Sequence, residues 1–281
     1  MLAMRHLTST TVAIAVLALL LSTFAFAADE PKLPPAEGQA KERLNTSPRH
    51  GEWVEIAVPG SDAKMKAFVV YPERKDKAPV VIVIQEIFGL SDWIKSVADQ
   101  LAADGFIAIA PDLLSGPAGK GTDALGDRSA VTKAVSGLDP KLVTTMLNAT
   151  RDYGLKLPAA SGKTATIGFC WGGGTSFRYA TEQPDLNAAV VYYGTSPKAD
   201  ALEKLKAPVL GNYGGNDNRV NSTIKPAEDK LKELNKTYMP NIYEGAGHGF
   251  LRQQDGQNGA NMKAAQEAWP KTIAFLRENT K

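Results

Sequence analysis

Apolar and polar positions follow two regimes along this chain. Residues 11–26 are almost wholly apolar, whereas residues 29–49 are charged, carry Pro31, Pro34, Pro35 and Pro48, and hold few large apolar side chains. Such a stretch reads as an extended Pro-rich lead-in over residues 28–50 rather than a packed element. Residues 52–58 and 65–71 then look like paired strands joined through Pro59-Gly60-Ser61-Asp62. Residues 80–84 are continuously β-branched, which suits a strand buried on both faces of a mainly parallel sheet. Further strand-like runs fall at residues 106–110, 164–169, 188–193, 209–213 and 240–243. Between them, helical spacing is found at 92–104, 140–155, 172–183, 226–236 and 261–278, with Asp139-Pro140 as cap and first-turn proline. The Gly-rich residues 115–126 read as a flexible loop. Alternation of this kind predicts an α/β fold, a three-layer sandwich with a mostly parallel sheet, in one domain over residues 51–281.

The N-terminus adds an expected destination. Arg5, the apolar run and Ala25-Phe26-Ala27, followed by Ala28-Asp29-Glu30, have the layout of a secretory signal peptide over residues 1–27. An uncleaved anchor is the alternative, but an Ala-x-Ala-like site has no anchoring role. The expectation is export, to the periplasm or beyond, with no membrane association after cleavage. Cleavage removes one arginine and no acid, leaving 31 basic against 30 acidic residues. That balance offers no field to recruit nucleic acid. A single cysteine excludes an internal disulfide. Outside the signal only His50 and His248 remain, with no Cys/His cluster, so neither a metal site nor another cofactor is expected.

The lone cysteine sits in the strongest local motif, Gly168-Phe169-Cys170-Trp171-Gly172, where an apolar strand meets a Gly-opened helix. This is the spacing of a nucleophile elbow with Cys in place of Ser. The turn is so tight that side chains two positions either side would meet backbone, and the helix N-terminus beneath the sulfur favours thiolate. Without that strand-turn-helix context, Cys170 would read equally well as a buried structural thiol. In α/β-hydrolases the acid follows the nucleophile and the histidine comes last. Asp217 lies just beyond the run 209–213 and His248 just beyond 240–243, both at carboxyl ends of predicted strands. Alone, Asp217 would be ordinary turn chemistry and His248 a loop residue; together with Cys170 they fall in hydrolase order. His50 precedes every strand and reads as structural. The loop after residues 80–84 and the residue after the nucleophile nominate the backbone amides of Ile87 and Trp171 as an oxyanion hole. By position, Glu86 reads as a loop acid or the partner of a nearby arginine.

Taken together, Gln85-Glu86-Ile87-Phe88-Gly89, Pro111-Asp112-Leu113, the Cys170 elbow with Gly173, Tyr192-Tyr193-Gly194, Gly215-Asn216-Asp217 with Val220, and Gly247-His248 with Phe250 and Arg252 resemble the dienelactone hydrolase family (carboxymethylenebutenolidases) over roughly residues 52–278. The resemblance implies that Cys170, Asp217 and His248 form a triad and that Glu86 holds the resting thiol protonated until substrate displaces it. It also implies that Arg252 faces a substrate carboxylate, with Phe88 and Gly249 in the substrate pocket. A second such arginine has only a loose counterpart in Arg128. Gly249 stands where better-known members carry Ser, which puts a dienelactone substrate in doubt. The expected activity is hydrolysis of small esters or lactones by acyl transfer through Cys170. A broad carboxylesterase or peptidase on the same fold, or a thiol-sensing or binding protein, are the rivals. The expected partner is a small-molecule substrate, with no nucleic acid; oligomeric state is unspecified.

Overall fold

In the computed structural model, which describes residues 33–281, the apolar runs become an eight-stranded sheet. The expected signal peptide, residues 1–27, lies outside the described residues. After a short helix α1 (Ala40–Thr46), β1 (Gly51–Ala57) and β2 (Lys64–Val70) pair antiparallel, Gly51 opposite Val70. The chain continues through β3 (Ala78–Ile84), α2 (Asp92–Ala103), β4 (Ile107–Pro111), a small hairpin of β5 (Ser115–Gly116) and β6 (Gly119–Lys120), α3 (Arg128–Ser136), α4 (Pro140–Lys156) and β7 (Ala160–Phe169). Its second half runs α5 (Trp171–Glu182), β8 (Ala188–Tyr192), α6 (Ala199–Leu202), β9 (Val209–Gly214), α7 (Asn218–Asn221), α8 (Ile224–Glu233), β10 (Tyr238–Tyr243) and α9 (Ala260–Asn279). Strand order is β1-β2-β4-β3-β7-β8-β9-β10; β2 meets β4 antiparallel, and the pairings from β4 to β10 are parallel.

The unbroken apolar run of β3 is explained by what covers it. Alternate side chains of a strand point to opposite faces. Val81 and Val83 join the cluster containing Trp93, Ile94 and Val97 of α2 and Trp269 of α9. Val80, Ile82 and Ile84 join the opposite cluster, with Val143, Met146 and Leu147 of α4 and Phe177 of α5. Helices cover both faces, so neither set of positions can be polar. Burying each such side chain contributes about 1.5–3 kcal/mol. Caps fix the helix starts: Ser91 Oγ accepts from Ile94 N–H for α2, and Asp139 accepts from the Lys141 and Leu142 amides for α4.

Three segments depart from the sequence reading. The lead-in is not extended throughout, since it contains α1 and is docked onto the domain. Trp93 Nε1 donates to Pro35 O at 3.0 Å, and Arg49 and Ser47 both bond Asp99 in a nearly buried cluster. Residues 115–126 are not a free loop. The Asp112 carboxylate accepts from Leu114 N (3.1 Å), Thr122 N (2.7 Å) and Thr122 Oγ1 (2.8 Å), while Thr122 Oγ1 accepts from Leu90 N (3.0 Å). Helix α3, absent from the sequence reading, is capped by Asp127 and buries only Val131 and Val135. Among the described residues, no helix is long and apolar enough to cross a membrane.

Candidate active site

β7 ends at Phe169, and α5 begins two residues later. Between them Cys170 adopts φ 55°, ψ −115°, a conformation costly for a residue with a side chain. The flanking glycines are steric necessities. A Cβ on Gly168 would lie 1.9 Å from Gly172 O, and one on Gly172 would lie 2.3 Å from Gln85 O. The Cys170 amide is satisfied by Tyr192 O at the end of β8 (3.0 Å). The partly buried sulfur faces the backbone N–H groups of Trp171 and Ile87, the two amides nominated from the sequence.

The acid and imidazole come from the loops after β9 and β10. Asp217 caps α7, accepting from Val220 N–H (3.4 Å), and its other carboxylate oxygen lies 2.5 Å from His248 Nδ1. A carboxylate there fixes Nδ1 as the donor and leaves Nε2 free to accept a proton. The two loops are laced together: Asn216 N donates to Ala246 O (2.9 Å) and Asn216 Nδ2 to Gly245 O (2.9 Å). Gly247 N in turn donates to Asn261 Oδ1 on α9 (2.9 Å). Among the described residues no hydrogen bond joins the Cys170 thiol to the His248 imidazole, whose side chain is 33 % exposed.

Glu86 is only 2 % exposed, and its partner is an arginine: Arg252 Nε lies 2.7 Å from Oε2, close but not aligned as a hydrogen bond. Burial pushes the Glu86 carboxyl up to about 7; Arg252 pulls it down, and Glu37 pushes it further up. Burial, then the Glu86 charge, also raises the Cys170 thiol, outweighing the lowering by the Trp171 and Ile87 amides and by Arg219. The amides at the helix N-terminus do favour thiolate, but burial and the Glu86 charge outweigh them, so the balance lies toward the thiol. Burial would lower the Arg252 guanidinium, but Glu86 and Glu37 more than offset it, so it stays charged.

A cleft of about 690 Å³ opens at Cys170, with Ile87, Trp171, Tyr193, Thr195 and Arg219 on its walls. Arg252, Phe88 and Gly249, assigned to the substrate pocket from the sequence, are not on these walls. They cluster beyond Glu86, where Arg252 and Arg128 lie over the Phe88 ring at 5.2 and 3.6 Å and both pair with Glu37. Arg252 is turned inward because two carboxylates hold it. Sequence reasoning also gave no role to Tyr193, whose ring lies against His248 (centroids 5.2 Å apart). Its backbone is strained at φ 40°, and its buried hydroxyl has no partner among the described residues. The signal was its place, just after β8 at the rim that carries the other site residues.

A mostly parallel sheet with an elbow after its central strand, and acid and imidazole on later loops at the same rim, makes this chain an α/β-hydrolase. A sequence model of the dienelactone hydrolase family matches residues 65–280, and the chain belongs to that family. It is, at that level, a hydrolase of carboxylic esters or lactones. It is 31 % identical over 263 residues to a Saccharolobus solfataricus protein named "Putative carboxymethylenebutenolidase", covering 81 % of this chain and 99 % of that one. A protein of the same name in Escherichia coli K12 is 30 % identical over 238 residues, covering 79 % and 85 %. The crystal structure of a Klebsiella pneumoniae protein titled "Putative Dienelactone Hydrolase" superposes with a TM-score of 0.70 at 28 % identity, covering 81 % of this chain and 99 % of that one.

Proposed function

We propose that this chain cleaves small esters or lactones with Cys170 as nucleophile, His248 as general base and Asp217 as its orienting acid. The carrying observation is the 2.5 Å Asp217–His248 contact at the same sheet rim as a strained elbow cysteine whose sulfur faces two backbone N–H groups. A raised thiol must lose its proton as substrate arrives. His248 Nε2 takes it, and the sulfur attacks the carbonyl carbon. The amides of Ile87 and Trp171 then stabilise the oxyanion, a contribution of about 3 kcal/mol per donor. Collapse expels the alkoxide or enolate, which takes the proton from His248. Water activated by the same imidazole then hydrolyses the thioester. For sulfur and Nε2 to meet, the thiol must rotate away from its resting contacts. Glu86, buried beside it, favours the protonated resting form, because two adjacent anions are costly.

Thiolate is itself a good leaving group, so enol lactones and activated esters fit better than amides. Export after removal of residues 1–27 is part of this proposal, supported by the Ala25-Phe26-Ala27 site. A protonated thiol also resists oxidation, which suits a lone cysteine outside the cytoplasm. The test is turnover of p-nitrophenyl acetate and of an enol lactone by Cys170→Ala and Cys170→Ser. Loss of at least 10³-fold in the first and weak residual activity in the second are expected, on the order seen for lost nucleophiles. Full activity of Cys170→Ala would defeat the proposal.

A further inference from the structure

The N-terminal segment is fixed in place by contacts far along the chain. Pro34 O accepts from Gln254 Nε2 (2.9 Å), Pro35 O from Trp93 Nε1 (3.0 Å), and Glu37 N donates to Arg252 O (3.0 Å). With the backbone held, the Glu37 side chain reaches two cations. Arg252 Nη1 donates to Glu37 Oε2, and Arg128 Nη1 lies 3.6 Å from Oε1. The Phe88 ring lies beneath both guanidiniums. Two arginines converging on one carboxylate form a site suited to carboxylate recognition. Here the carboxylate comes from the chain itself.

The exposures are those of a site and its occupant. The Arg252 side chain is 8 % exposed, whereas that of Glu37 is 43 % exposed. The pair is off the walls of the Cys170 cleft but is linked to the reacting groups through Glu86, whose charge acts on both Arg252 and the Cys170 thiol. Arg252 touches Glu86, next in the chain to the oxyanion donor Ile87, and a Cβ on Gly249, next to His248, would lie 3.5 Å from Arg252 Nη2. An incoming carboxylate and Glu37 would compete for the same donors, and like charges so close cannot share them.

We propose that Glu37 is a specificity-determining residue: its carboxylate fills an anion site made by Arg252 and Arg128, so the enzyme prefers esters and lactones without a carboxylate of their own. Vacating the site admits substrates that carry one. This rests on the hydrolase reading above. The test compares the full chain with Glu37→Gln on p-nitrophenyl acetate and p-nitrophenyl hemisuccinate, and measures succinate binding to both by calorimetric titration. The hemisuccinate-to-acetate ratio of kcat/KM is expected to rise at least ten-fold in Glu37→Gln. Succinate is expected to bind at least ten-fold more tightly, and the gain to vanish when Arg252→Gln is added. An unchanged ratio with acetate hydrolysis intact overturns the inference and leaves the hydrolase reading standing. Should neither protein cleave any ester, the hydrolase reading has failed, and the titration alone decides the anion site. Equal succinate affinities, or a gain that survives Arg252→Gln, overturn it.

Discussion

Replacing Glu86 by Gln should flatten the pH dependence of stability between pH 5 and 8. Burial lifts this carboxyl from its ordinary 4.5 to about 7 even with Arg252 beside it. The native state therefore keeps a proton that the unfolded chain releases above pH 4.5. Because the folded value is the higher one, the stabilisation is fully present below pH 4.5 and is lost as pH rises through 7. At about 1.4 kcal/mol for each pH unit, the full span corresponds to about 3–4 kcal/mol. Gln keeps the shape and offers an N–H in place of the acid proton, but cannot ionise. Urea unfolding followed by tryptophan fluorescence, at half-unit steps from pH 5 to 8, would measure both proteins. The upper limit avoids the Cys170 thiol, whose raised value places its own titration higher. Native stability minus variant stability should fall by roughly 2–3 kcal/mol across the range. A difference that stays constant, or grows with pH, would refute the assignment of Glu86 as a buried, proton-holding acid.

Other expectations concern the site. Alkylation of Cys170 by iodoacetamide should accelerate only at alkaline pH, and Glu86→Gln should move that rise to lower pH by removing a neighbouring charge. A curve indifferent to Glu86 would remove the coupling. Asp217→Asn preserves the side-chain shape but lets Nδ1 of His248 become the acceptor, so kcat should fall on the order of 10³–10⁴-fold. Steady-state rates within ten-fold of native would count against Asp217 as orienting acid. Gly168→Ala sets a methyl 1.9 Å from Gly172 O, a backbone atom. It should cost on the order of 3 kcal/mol and lower the melting temperature by roughly 5–10 °C; an unaltered melt would contradict the packing at the elbow.

What was legible in the sequence was what local sterics and short-range pattern dictate. The glycines at 168 and 172 are readable because backbone oxygens occupy the space a Cβ would take. The β-branched run of β3 is readable because helices cover both faces. The order Cys170, Asp217, His248 needed only the positions of strand ends. The misreadings share another cause. The partners that pin residues 33–50, Trp93, Asp99, Arg252 and Gln254, lie tens to hundreds of residues away, and no periodicity announces them. Glycines at 116, 119 and 121 suggested freedom, yet the Asp112 carboxylate ties their loop down. Glu37 looked like one more charge in a polar stretch, because a lone carboxylate bears no mark of the two arginines it will meet.

The same geometry explains why the thiol and the anion site cannot be considered separately. Arg252 stands between two carboxylates, Glu86 within and Glu37 without. Each anion draws on the same guanidinium, and Glu37 pushes the Glu86 carboxyl up while Arg252 pulls it down. Removing the outer charge leaves Arg252 acting more strongly on the inner one, which favours ionised Glu86. An ionised Glu86 in turn raises the cost of a thiolate at Cys170. A substrate carboxylate seated in place of Glu37 would restore the outer charge and return the proton balance of Glu86 and Cys170 toward its native setting. Glu37→Gln should therefore be slower than the native enzyme on neutral esters by more than any packing loss, and its deficit should shrink when the ester carries an acid. In this architecture specificity and thiol protonation are set by a shared arginine.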